Sequence, residues 1–185
     1  MHILLSLTPF IVFFVLMRAA SPLAGLGAAF ALSMLLCLRQ WWRGESVKVL
    51  ELGSLLLFGA LTFYTFIAAP TWTVATVRLA VDGGLLIIVL VSLAIDRPFT
   101  LQFARESVPQ EYWTTPQFIA TNRRISAAWA AAFAVMTGAD AAAEYLDTIP
   151  LWVDIAATIA AFGAALLFTV RYPAAVPRRQ TRTTS

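Results

Sequence analysis

Apolar runs separated by short polar stretches set the plan of the chain. They cover about residues 3–17, 22–38, 49–67, 72–95, 125–146 and 151–170. This pattern predicts an all-α, polytopic transmembrane bundle of about six spans. The fourth run, WTVATVRLAVDGGLLIIVLVSLAI, makes a helix ~36 Å long at ~1.5 Å per residue, enough to cross a ~30 Å hydrocarbon core with some tilt. Arg78 and Asp82 stand four residues apart inside it, on one helical face where opposite charges can meet. An ionisable group at mid-bilayer costs roughly 2.5–3.5 kcal/mol on insertion scales, against about 0.3–0.6 kcal/mol gained per large apolar residue. The thirteen Leu, Ile and Val residues of the run just carry both charges. The helix is therefore expected to insert and to seek neighbours. Two readings of the pair stand side by side: mutual neutralisation that glues helices together, or one wall of a polar pocket.

The other runs differ in detail. The first is short and contains Pro9; with no Lys or Arg before it and Arg18 after it, it reads as a span rather than a secretory signal. Ser21-Pro22 restarts a helix whose Gly25/Ala29 and Gly27/Ala31 pairs suit close packing in lipid. In the loop RQWWRGESVK, Trp41 and Trp42 belong at headgroup level as interfacial anchors. The third run opens with Glu51 at its polar end. The stretch 96–124 predicts a short helix lying in the membrane interface, with Phe99 and Phe103 on its lipid side and Trp113 as a further anchor. Thr115-Pro116 marks a second helix start. The fifth run carries Asp140 and Glu144; the sixth carries Asp154 and a small-residue face of Ala156, Ala157, Ala160, Gly163 and Ala164. One transmembrane domain, residues 1–172, is expected, followed by a disordered basic tail over 173–185.

Composition agrees with the pattern. The 185 residues are 60% hydrophobic and 12% charged, with a mean hydropathy of +0.79, which argues against a water-soluble globule. One histidine and one cysteine, His2 and Cys37, are too few for the usual transition-metal or haem ligand sets. No cofactor is expected, and no catalytic constellation is found: there is no Walker loop, no G-x-S-x-G and no H-E-x-x-H.

Charge fixes the expected orientation. Arg39, Arg43 and Lys48, then Arg97, Arg105, Arg123 and Arg124, then Arg171, Arg178, Arg179 and Arg182 all fall on one side of a six-span topology. Only Arg18 falls on the other. The first side, with both termini, is cytoplasmic by the positive-inside rule. The net charge of +3 then points to anionic lipid as partner, not nucleic acid, since the basic tail offers no stacking aromatics. Entering from outside, the fourth helix places Arg78 ~9 Å deep and Asp82 ~15 Å deep. Asp140 and Asp154 lie in the same outer half, whereas Glu144 and Asp147 read as surface acids. Arg78, Asp82, Asp140 and Asp154 thus form a candidate intramembrane polar cluster lining an outer-facing cavity.

Short motifs add a resemblance. LTPFIVFFVL, FGALTFYT, IDRPF, NRRISAAWAAAF and PLWVDI together resemble the intracellular septation protein A family of bacterial inner-membrane proteins, over nearly the whole chain before the tail. The resemblance implies a role in cell-envelope maintenance and septation without an established enzymatic activity; interaction with other membrane proteins or self-association is the expected means. The chain departs from the family in its 96–124 loop, and in Asp140 and Asp154, where amides look typical. The rival reading is a small proton-coupled carrier that uses the carboxylate cavity.

Overall fold

The computed structural model describes residues 6–146 and 150–183, with side chains described to residue 173 apart from that of residue 151. Seven α-helices are found among them: α1 (Thr8–Ala19), α2 (Pro22–Trp42), α3 (Val49–Ala68), α4 (Val74–Ala94), α5 (Phe99–Arg105), α6 (Pro116–Tyr145) and α7 (Leu151–Thr183). Five of these, α2, α3, α4, α6 and α7, are long and apolar enough to cross a membrane; α1, at 12 residues, is a shorter apolar helix. The fold is all-α, with a short helix between spans, as the hydrophobic pattern predicts. Residues 3–5 of the expected first span and Asp147 lie outside the described residues.

The chain forms two compact units, residues 1–88 and 89–185, with α4 continuous across the boundary. In the first unit, Ser21 caps α2 by accepting from the Ala24 N–H at 3.1 Å, and Pro22 takes the first helical position. The α1–α2 hairpin closes on Gly25, whose Cα faces the backbone of Phe13 and Met17. One packing stripe of α2 is Leu26, Ala29, Ser33, Leu36, Cys37 and Gln40. In α3 the buried positions are Leu50, Glu51, Ser54 and Phe58, and Phe58 meets the rings of Phe10 at 5.0 Å and Phe13 at 5.8 Å. Gly53 and Gly84 let α3 and α4 approach, against Ile88 and Leu57 respectively.

The second unit is organised on Trp129 of α6. Its indole N–H donates to Thr169 Oγ1 of α7 at 3.0 Å, and its ring meets Phe162, Phe133 and Phe99. The α6 and α7 helices thus form an antiparallel hairpin. Thr115 caps α6 from Phe118 N–H, and the helix runs unbroken for 30 residues, about 45 Å. It is longer than the expected span 125–146 because the cap at Thr115 and the span share one helix. At its other end α4 closes with Asp96 in the left-handed region (φ 53°) while Arg97 N–H donates to Ser92 carbonyl at 2.9 Å. Asp96 then takes Arg123 in a 2.9 Å ion pair.

Two expectations are corrected here. Phe99 and Phe103 do not face lipid: the two side chains are 2% and 8% exposed. Its helix, α5, is fastened to α6 by Thr100, whose Oγ1 donates to the Asn122 carbonyl at 2.9 Å and stands 2.8 Å from Ser126 Oγ. A hydroxyl on the same face as the phenyl rings selects a polar partner that lipid tails cannot supply. The second correction concerns the C-terminal segment. Helix α7 does not end near Val170 but continues to Thr183, through most of the expected tail; Tyr172, stacked on Phe168 at 4.7 Å and bonded to Arg124, holds its course past Val170.

Candidate intramembrane polar site

Four ionisable side chains predicted to sit inside the membrane are all buried. Arg78 and Asp82 belong to the first unit. They occupy the stripe Ala75, Arg78, Asp82, Leu85 and Val89 of α4, the i, i+3, i+4 spacing of a single packing face. Asp82 has no solvent exposure and Arg78 has 4%. The Arg78 guanidinium lies over the Phe14 ring of α1, 5.7 Å from its centroid, a cation–π arrangement that offsets part of the desolvation. The charges are therefore built into the helix contact face.

Asp140 and Asp154 belong to the second unit. Asp140 ends the α6 stripe Asn122, Ser126, Trp129, Phe133 and Met136, and is fully buried. Asp154, 1% exposed, starts the α7 stripe that continues through Ala165 and Thr169. The contacts Arg124–Tyr172 and Trp129–Thr169 fix the antiparallel register of the hairpin. That register puts Asp140 and Asp154 toward the same end of the hairpin, the end where α6 finishes and α7 starts. The structure thus buries these two acids on neighbouring helices of one hairpin and places Arg78 with Asp82 on α4 of the other unit. Glu144, read as a surface acid, is half-buried.

Sequence reasoning missed Glu51. It stands at the polar end of its run, yet it is 3% exposed and accepts a hydrogen bond from Ser6 Oγ. The available signal is its spacing with Ser54 and Phe58, which puts all three on one face of α3. Near Glu51, Gln40 Oε1 accepts from the Lys48 N–H at 3.3 Å and joins the ends of α2 and α3.

The proposed anchors divide. Trp41 and Trp42 are 72% and 78% exposed at the end of α2. Trp113 is half-buried, donates to the Val108 carbonyl at 2.8 Å and lies under the Arg105 guanidinium, 5.4 Å from the ring centroid. It closes its own loop. Phe99 and Phe103 are core residues. Among the described residues, no group of three or more His, Cys, Asp or Glu side chains is placed to hold a metal ion.

Comparison of the chain with protein-family models, curated proteins and solved structures finds no match in any of the three. What helix length and hydropathy establish is the class: a multi-pass integral membrane protein with five long apolar helices among its described residues.

Proposed function

We propose that this chain supports the bacterial cell envelope from the cytoplasmic membrane, holding other membrane proteins or further copies of itself through its helices. The outward face of α7 carries this reading. Ala156, Ala160 and Ala164 recur there every four residues and are all exposed, and a Cβ added at Gly163 would meet nothing within 4 Å. Such a face lets a partner helix come close in lipid, where packing rather than water exclusion drives association. The resemblance of the short motifs to the septation protein A family points the same way. The reading assigns the chain no reaction.

A second reading, a small proton-coupled carrier, is favoured by the buried acids Asp82, Asp140 and Asp154, since intramembrane carboxylates commonly mark proton or solute paths. Arg78 and Asp82 separate the two readings. Arg78→Leu and Asp82→Leu alone each leave a buried charge without its neighbour, a loss of roughly 3–5 kcal/mol, and should lower the amount of folded protein in the membrane. The double variant restores neutrality and should regain that amount, because apolar replacements pack well. Under the envelope-support reading it also restores envelope integrity to a deletion strain, scored by detergent sensitivity. A double variant present at the normal level but unable to complement would favour the carrier.

A further inference from the structure

Helix length sets where α6 meets the membrane surface. From Ile125 to Tyr145 it has 21 residues, ~32 Å at ~1.5 Å per residue, which matches the hydrocarbon core. Arg124 therefore stands at headgroup level. Its guanidinium is exposed yet held in place, because it donates to the hydroxyl of Tyr172 on α7. Tyr172 stacks on Phe168, with ring centroids 4.7 Å apart, and Arg171 lies three residues beyond Phe168, on the same exposed side of α7. Neither arginine has an acidic residue within one turn along its helix. On α6, Ala127 and Ala131 continue the exposed stripe that starts at Arg124. Small side chains there leave the helix surface below the charge open to an acyl chain.

From this arrangement we infer a binding site for an anionic phospholipid on the α6–α7 hairpin. Arg124 and Arg171 take the headgroup phosphate, Tyr172 holds Arg124 in position, and one acyl chain lies along Ala127 and Ala131. Arginine suits the phosphate because its planar donors bind two oxygens at once. A zwitterionic headgroup would bring its own ammonium toward two guanidinium groups, and so is disfavoured. The site stands apart from the envelope-support reading and from the buried acids.

Native mass spectrometry of the purified full-length protein tests it, with phosphatidylglycerol and phosphatidylcholine of identical acyl chains offered at equal concentration. The wild type should retain phosphatidylglycerol selectively. Combined Arg124→Gln and Arg171→Gln should weaken that retention by about twenty-fivefold, at roughly fivefold per arginine near a membrane surface. Arg124→Lys, which keeps the charge but loses the planar fork, should give an intermediate loss. Combined Arg39→Gln and Arg43→Gln, which removes the same charge from the α2–α3 loop, should leave retention unchanged. The inference is overturned if the wild type retains both lipids equally, since that comparison needs no variant. It is equally overturned if the loop variant loses as much as the hairpin variant, or if inorganic phosphate displaces the lipid.

Discussion

A Cβ placed on Gly25 would stand 2.9 Å from the backbone nitrogen of Met17 and 2.9 Å from the carbonyl oxygen of Phe13. Two residues along α2, a Cβ on Gly27 would meet nothing within 4 Å. In the sequence the pairs Gly25/Ala29 and Gly27/Ala31 look equivalent, each a small-xxx-small motif. What separates them is which face α1 covers, and composition carries no record of that. Gly25→Ala should therefore cost about 1–3 kcal/mol, because the clash is with backbone that cannot rotate away. Gly27→Ala should be neutral or slightly stabilising, through better helix propensity. Reversible unfolding in mixed detergent micelles measures both, and equal effects would mean that α1 does not seat on Gly25. Glu51 teaches the same lesson for charge. An acid in the first turn of a span reads as solvated, and only the bond from Ser6 of the preceding segment shows it to be enclosed.

At the scale of elements, start signals were readable because they are local. Ser21-Pro22 and Thr115-Pro116 each combine a capping hydroxyl with a proline that gives up no needed N–H. The covering of α5 was not readable by the same logic. A phenylalanine face is satisfied equally by lipid tails and by a protein interior, so Phe99 and Phe103 cannot tell the two apart. Thr100 can, since it shares that buried face and needs a hydrogen-bond partner, which Ser126 and the Asn122 carbonyl provide. The motif NRRISAAW was legible as a motif; its work, presenting Asn122, Ser126 and Trp129 to α5 and α7, appears only in three dimensions. Thr100→Val should destabilise the second unit by about 1–3 kcal/mol by leaving buried polar groups without a partner. Thr100→Val combined with Ser126→Ala should cost less than the sum of the single changes, since the two hydroxyls serve each other. Strict additivity in the unfolding free energies would count against the contact.

For the whole molecule, class was legible because a bilayer imposes one length on every span, and helices of 20 to 30 residues meet it. Orientation follows from charge rather than from packing. The exposed residues between the long helices alternate between basic stretches, around Arg39 and Arg43 and again around Arg97 and Arg123, and the uncharged turn from Ala69 to Thr73. By the positive-inside rule we propose that the basic stretches face the cytoplasm and the uncharged turn the outside, whether or not the 12-residue α1 crosses. With Cys37→Ala as background, Thr71→Cys should react with a membrane-impermeant maleimide added to intact cells. Ser46→Cys and Ser107→Cys should react only after permeabilisation. All three positions are exposed, so accessibility within the protein does not limit the reaction and the membrane alone decides it. Ser107→Cys is the strictest of the three, because it lies beyond α5 in the longest stretch between spans. Labelling there from outside would invert α4 and α6 together, move Arg97, Arg105, Arg123 and Arg124 to the outer surface, and overturn the proposed orientation.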